Sequence, residues 1–332
     1  MSSNISNSTD STDSTHSISL PQDWITAFKV SIVTETIFVV AGVLLNTWII
    51  ASILSSKPIR AVFRNQIICA ILVVGLVDDL AVSPVFISST YLILTKMTYL
   101  ACAWETFLDT MRIICSFVQD YLVVALSLVF LAQVLAFDPN SKFSPRKILI
   151  GKALVLAFPW AFAIIASPLS LRGISLEGFE CVILDARKMY MIESAFTITP
   201  LAVAGLVFAT AVVIRCVRFN EGRITAQGNM GVQLMGSVPQ VDGSLPYIVV
   251  WLVCVVCEIM YVVILFRLKF GKSHGIFVYL SLSIMQSARY VCLPLVFLLF
   301  TDIRQRVKIW RPWRPNVQES GIDLTVVYNR EG

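Results

Sequence analysis

Ten ionisable side chains sit within or at the ends of long apolar stretches of this 332-residue sequence: Glu35, Asp78, Asp79, Asp109, Arg112, Asp120, Lys152, Glu193, Glu258 and Arg289. A charge in apolar surroundings is costly unless it is paired, and inside a membrane such residues face a bundle interior or a water-filled cavity. Three kinds of chemistry suit them: ion pairing across helices, recognition of a charged ligand, and a path for protons or ions. Those near the ends of a stretch can snorkel to the interface, whereas those at mid-depth need partners. Asp109 and Arg112 stand one helical turn apart and can pair along one face. Catalytic chemistry finds no support. The histidines are His16 and His274, and neither a His-Glu-x-x-His nor a Gly-x-Ser-x-Gly run occurs. Gly271-Lys272-Ser273 resembles the end of a phosphate loop, but Phe266 occupies its first glycine position. The sequence therefore points away from an enzyme and calls for no cofactor and no metal.

The elements that must position these charges are apolar spans. The chain is 57% hydrophobic and 14% charged, with mean hydropathy +0.78. A soluble domain carries about 25% charged residues. Seven stretches, at approximately 29–54, 65–94, 104–136, 148–170, 190–216, 246–266 and 275–300, each match the roughly 20 residues of a membrane-crossing helix. Pro84, Pro159, Pro168, Pro200 and Pro294 lie in or near them, where neighbouring helices tolerate kinks. No internal repeat supports a repeat-built transporter. The expected fold is an all-α bundle of seven transmembrane helices over 25–300, with a disordered tail over 1–24 and an interfacial helix and tail over 301–332.

Charge asymmetry orients the bundle. Lys57, Arg60 and Arg64, then Lys142, Arg146 and Lys147, then Arg215, Arg218 and Arg223, and finally Arg304, Arg306, Lys308, Arg311 and Arg314 mark alternate connections as cytoplasmic. Arg267, Lys269 and Lys272 break the rule on the opposite side; scatter and a basic mouth for an acidic ligand are the two readings. The N-terminus is then outside and the C-terminus cytoplasmic, in a multi-pass plasma-membrane protein. The tail shows no signal-peptide pattern, so the first span acts as the insertion signal. The tail carries sequons at Asn4 and Asn7, expected to be glycosylated. Beyond the seventh span, Ile303, Val307 and Trp310 share one helical face among basic residues, the pattern of a short amphipathic helix on the cytoplasmic leaflet. The net charge of +5 lies mostly beside apolar spans, so lipid rather than nucleic acid is its partner. Most of the eight cysteines lie within spans and act as small hydrophobes. Cys102 and Cys181 fall in polar loops.

The chain resembles a rhodopsin-like G-protein-coupled receptor in all seven spans. Gly42-Val43-Leu44-Leu45-Asn46 is similar to the family's glycine-rich run ending in asparagine, and Asn65 and Ser83-Pro84-Val85 suit its second span. Thr90-Tyr91-Leu92 and Gly178-Phe179-Glu180-Cys181-Val182-Ile183 look like the second span and second extracellular loop of prostanoid receptors. Trp160, Pro168, Phe196 and Pro200 suit spans four and five. Cys254 to Tyr261 parallels Phe-x-x-Cys-Trp-x-Pro-Tyr, and Leu293-Pro294-Leu295-Val296-Phe297 parallels Asn-Pro-x-x-Tyr. The motifs also depart from the family. No Asp-Arg-Tyr triplet closes span three: counting from Cys102 reaches Leu126-Ser127-Leu128, and counting back from Pro139 reaches Leu131-Ala132-Gln133. Glu258 and Met260 replace the tryptophan and proline of span six, and Gly75 stands where Asn65 and Pro84 place the family's sodium-site aspartate. Ile284 replaces the prostanoid arginine and Ser287 the retinal lysine.

The resemblance implies a disulfide between Cys102 and Cys181 that pins the loop over the bundle. It implies that Arg289 takes the place of the sodium ion, with Asp78 and Glu258 as counter-charges; a purely structural lock is the alternative. Asp78, Asp79, Glu258, Arg289 and Pro294 then form the conformational switch. Asp109 falls where amine receptors keep their amine-binding aspartate, while pairing with Arg112 is the other reading. Asp109, Arg112, Gln119 and Glu193 are the candidate ligand-binding residues. The function implied is transduction of an unknown extracellular ligand's signal to a heterotrimeric G protein. The alternatives are a polytopic transporter or channel using the buried charges, and a non-signalling decoy or scaffold that kept the fold.

Overall fold

The computed structural model describes residues 22–96, 102–136, 144–170, 174–177, 180–183, 186–221, 225–226, 240–241, 243–269 and 276–309. Helix α1 spans Gln22–Leu54. A short α2 (Lys57–Ala61) leads into α3 (Phe63–Val77), a π-helical segment (Asp78–Val82) and α4 (Ser83–Lys96). Then come α5 (Cys102–Val134), α6 (Pro145–Ser170), α7 (Ala186–Asn220), α8 (Ser244–Lys269), α9 (Ile276–Phe297) and α10 (Thr301–Ile309). Between α6 and α7, β1 (Ile174–Glu177) pairs antiparallel with β2 (Glu180–Ile183), setting Leu176 opposite Cys181. Between α7 and α8, β3 (Thr225–Ala226) lies parallel to β4 (Gln240–Val241). The fold is thus helical, with two short strand pairs confined to the connections.

Five helical stretches among the described residues are long and apolar enough to cross a bilayer: Trp24–Leu54, Phe63–Thr95, Thr110–Val134, Pro145–Ile165 and Ala195–Asn220. Ile284–Phe297 and Thr301–Lys308 meet at 89° and make a sixth if the bent pair is one crossing. In α8 the described apolar run, Ser244–Glu258, is shorter than a crossing. The expected seven spans are therefore matched in length and apolarity by five or six, the pattern of a multi-pass membrane protein.

Helix α1 shows how the sequence sorts itself. Val30, Val33, Ile37, Val40, Leu44 and Trp48 recur every three or four residues and are exposed. Phe28, Ser31, Glu35, Asn46, Ile49 and Ile53 are buried. A surface this apolar suits hydrocarbon, and the polar residues face inward, where Glu35 and Asn46 find partners. Helix α6 is also apolar outward, through Leu149, Ile150, Leu154, Phe158 and Ile165.

Helix α5 is the centre of the bundle and packs on α3, α6, α7 and α8; α1 lies against α3, α4 and α9, and α8 sits between α7 and α9. Two glycines permit the closest approaches. A β-carbon at Gly42 of α1 would overlap the Asp79 carboxylate. One at Gly205 of α7 would come within 2.7 Å of the Trp251 ring of α8, whose Nε1 donates to the Leu201 carbonyl at 2.8 Å.

The π-helical segment has a local cause. Pro84 has no N–H and its ring crowds the carbonyl four residues back, so the helix widens by one residue before it. The Ser83 N–H accordingly reaches the Asp78 carbonyl, five residues earlier. The widening brings Asp78 and Asp79 inward, 5% and 1% exposed.

The turn into α10 is closed by three-residue bonds from Leu298, Leu299 and Phe300 to Leu295, Val296 and Phe297. Ile303 and Val307 of α10 are buried, as their shared face implies; Trp310 lies outside the described residues. Arg64 pairs with Asp302, Asn65 Nδ2 donates to the same carboxylate at 2.9 Å, and the Arg64 guanidinium lies 4.7 Å over the Phe300 ring. These contacts fasten α10 to the start of α3.

Candidate functional site

Two polar centres occupy the bundle interior. The first is built on Arg289 of α9, which is 1% exposed. Its Nη1 donates to Glu258 Oε1 of α8, and its Nη2 donates to Asp120 Oδ1 of α5. Ser116, one turn before Asp120 on α5, donates to the same Glu258 oxygen at 2.9 Å. One guanidinium thus joins three helices through charge-assisted bonds, the strong class of hydrogen bond. The set remains incomplete: Asp120 Oδ2, Glu258 Oε2 and Arg289 Nε are buried without a partner.

Beside it lies a small cavity lined by Asp78, Arg112, Ser116, Glu258, Gln286, Ser287, Arg289 and Tyr290. Its empty volume, opening included, is about 300 Å³. Asp78 accepts a bond from Ser83 at 3.3 Å. Arg112 lies with its guanidinium 4.1 Å from the centre of the Phe86 ring, close enough for a cation–π contact. Ser287 donates to Glu35 of α1, which is completely buried. The cavity wall therefore carries charge of both signs and is tied to α1 through Ser287.

The second centre joins α1, the π-helical segment and α9. Asn46 Nδ2 lies 3.4 Å from Asp79 Oδ2 and donates to the Tyr290 carbonyl at 3.2 Å. Gly75, one turn before Asp79, leaves room for this: its β-carbon would lie 3.1 Å from Asn46 Nδ2 and 3.2 Å from the Tyr290 ring.

The structure brings Asp78, Arg112, Glu258 and Arg289 to one cavity. Of the two expected counter-charges, Glu258 bonds Arg289 directly and Asp78 shares its cavity. Arg289 bonds Asp120 and Glu258, and Asp78 is not among its ion pairs. Asp120 was visible in the sequence as a charge in a span, yet nothing there gave its angle around the helix relative to α9. Pro294 is buried in α9, below Arg289. Gln119 is 1% exposed with an unpartnered Oε1, on α5 beside Asp120. The side chains of Asp109, Glu193, Cys102 and Cys181 lie outside the described residues, as do Asn4 and Asn7. The ligand-binding role of the first two, the expected disulfide and the sequons therefore stay as expectations. Among the described residues, no three His, Cys, Asp or Glu side chains converge as metal ligands.

A third cluster closes one end of the bundle. Tyr247 of α8 is fully buried, stacks on Phe130 of α5 at 4.4 Å and meets Phe300 edge-on at 5.0 Å. Its hydroxyl lies 3.4 Å from Gln133 Oε1, and Arg218 of α7 donates to the Val134 carbonyl at 2.9 Å. Gln133 is in the last turn of α5. No sequence motif signalled this cluster. Compared with known proteins, the sequence matches no family model and no curated protein.

Proposed function

We propose that this chain is a divergent rhodopsin-like G-protein-coupled receptor: a seven-helix plasma-membrane protein with its N-terminus outside and its basic connections cytoplasmic. The observation that carries the reading is the Asp120–Arg289–Glu258 triad. It ties α5, α8 and α9 together at mid-bundle through a few directional bonds. A packed interior fastened this way has discrete alternatives rather than a continuum, and a ligand with unequal affinity for two packings shifts their populations. A ligand entering between the helices from outside would bias the triad and its cavity. The Tyr247 cluster at the other end would open or close toward a cytoplasmic partner, a heterotrimeric G protein. The order of helices, the Asn46–Asp79 contact and the sharp turn into α10 agree with this reading.

The test is constitutive activation of a panel of Gα biosensors in cells, comparing wild type with Arg289→Ala at matched surface expression. We expect basal activity above background that changes when the triad is broken. Silence of both proteins across the panel, together with ligand-independent ion flux in proteoliposomes, would replace the receptor with a transporter or channel. The excess of buried acids favours that second reading. Binding of a ligand without nucleotide exchange on any G protein would leave a non-signalling decoy.

A further inference from the structure

Helix α10 turns its apolar residues Ile303 and Val307 into the protein, where both are buried. Little of it is then left to enter hydrocarbon as an amphipathic anchor, and its outer surface is charge. Arg304 and Lys308 are exposed and Arg306 is half-buried. Helix α2 adds exposed Lys57 and Arg60. Among the described residues, none of these five cations forms an ion pair. Arg64 is the contrast, buried and matched by Asp302.

Three of the five converge on one corner. Arg306 Nε and Nη2 each donate to Ser55 Oγ at 3.3 Å. Ser55 continues the last turn of α1, its N–H bonded to the Ala51 carbonyl at 3.0 Å. Lys57 follows two residues later, so its backbone stands within about 7 Å of Ser55. Arg60 lies one turn further on the same face of α2. The bonds to Ser55 are long, and Arg306 Nη1 makes none among the described residues. The corner is also the end of an apolar track. Ile37, Leu44, Trp48 and Ser55 share one face of the helix by their spacing, and the first three are exposed. A hydrocarbon-facing stripe thus runs directly into a cluster of three cations.

We propose that this corner is a binding site for one anionic phospholipid. Its phosphate lies against Arg306, Lys57 and Arg60, and its acyl chains lie along Ile37, Leu44 and Trp48. The planar guanidinium of Arg306 suits phosphate oxygens and holds them through charge-assisted bonds. The two parts of the site select the ligand together. A soluble phosphate or an acidic peptide meets the cations and leaves the stripe uncovered. Phosphatidylcholine covers the stripe but brings its own cation to three others. An anionic lipid satisfies both. Bound there, it ties α10 to the end of α1, beside the Arg64–Asp302 bond that ties α10 to α3. In the proposed orientation the corner faces the cytoplasmic leaflet, where anionic lipids lie and each basic residue near the surface contributes about a fivefold factor to binding. The inference rests on the membrane setting and on no signalling role.

The test is binding of the full chain, in detergent micelles, to phosphatidylglycerol with a fluorescent acyl chain, read by anisotropy. Unlabelled phosphatidylglycerol should displace the probe at roughly tenfold lower concentration than phosphatidylcholine. Arg306→Gln should weaken binding about fivefold, and its combination with Lys57→Gln and Arg60→Gln roughly a hundredfold. Arg304→Gln removes the same charge from the other flank of α10 and should change the affinity less than about twofold. Glycerophosphate, which has the phosphate without the chains, should leave the probe bound. Equal competition by phosphatidylcholine, or equal losses in Arg306→Gln and Arg304→Gln, overturns the proposal, because the attraction is then apolar or diffuse. Displacement by glycerophosphate makes the occupant a soluble anion, displacement by a polyglutamate peptide makes it an acidic protein segment, and either overturns the proposal. Competition on the wild-type chain decides the matter even where a variant fails to fold, and no readout involves a G protein.

Discussion

Arg289 is the residue on which the interior turns, because three helices meet on its guanidinium and both of its acidic partners are buried. Arg289→Ala leaves Asp120 and Glu258 facing each other without a cation. Removing one member of a buried pair costs about 3–5 kcal/mol, and thermal unfolding in detergent micelles should show a loss of that size. Replacing all three members together, with Arg289→Met, Asp120→Asn and Glu258→Gln, removes the unpaired charges and should recover most of the lost stability. If the triple variant melts no higher than the single one, charge imbalance is not what the triad controls. The sequence displayed every member of this triad as a charge within an apolar span. It did not display the pairing, since composition places a residue on a helix but not at an angle facing another helix. Asp120 bonds Arg289 directly, while Asp78 stands in the same cavity wall. The hydroxyls of Ser116 and Ser287 were invisible for the same reason, as serine in a span is ordinarily a small packing residue.

At the scale of elements, apolar length fixed most of the helices, and local backbone chemistry explains where they depart from simple rods. Helix α1 starts at Gln22, several residues before the apolar stretch, because a helix can continue into polar surroundings where backbone groups are satisfied internally. The π-helical segment before Pro84 was not read from the sequence, although the proline that causes it was. Its consequence is that Asp79 presses against Gly42. Gly42→Ala should therefore separate α1 from the second span, with a stability loss of about 1–3 kcal/mol, the usual range for overpacking. An unchanged melting temperature would show that the contact yields freely. The hairpin of β1 and β2 escaped a reading based on hydrophobic period, since its segments are only four residues each. The end of α5 also carries a local cost. Ala136, just past the helix, adopts a φ of 53°, a left-handed conformation that penalises any β-carbon by roughly 1–2 kcal/mol. Ala136→Gly should raise the melting temperature, offset in part by the greater freedom of glycine in the unfolded chain. A lower melting temperature for that variant would mean that the methyl group itself makes a needed contact.

The whole molecule has a polar, charge-rich middle and an aromatic closure at the basic end, and the helices between them are the mechanical link. Helix α8 carries both Glu258 of the triad and Tyr247 of the closure, and α5 carries Asp120 and Phe130. A change at the triad therefore reaches the closure along two helices whose relative position sets both. Tyr247 is the stopper: it is fully buried, stacks on Phe130, meets Phe300 and lies against Phe208. Truncation to alanine empties a space between α5, α7 and α8 next to the turn into α10. Loss of a large buried aromatic side chain costs about 3–5 kcal/mol. The cost falls on the closed packing, because an open packing already separates these rings. Under the proposed receptor function, Tyr247→Ala should raise basal activation of the responsive Gα biosensor several-fold at matched surface expression. Tyr247→Phe, which keeps the stacking and gives up the weak contact with Gln133, should stay near wild type. Equal basal activity in all three proteins would mean that the closure is packing alone and that α8 does not carry a signal from the triad to that end of the bundle.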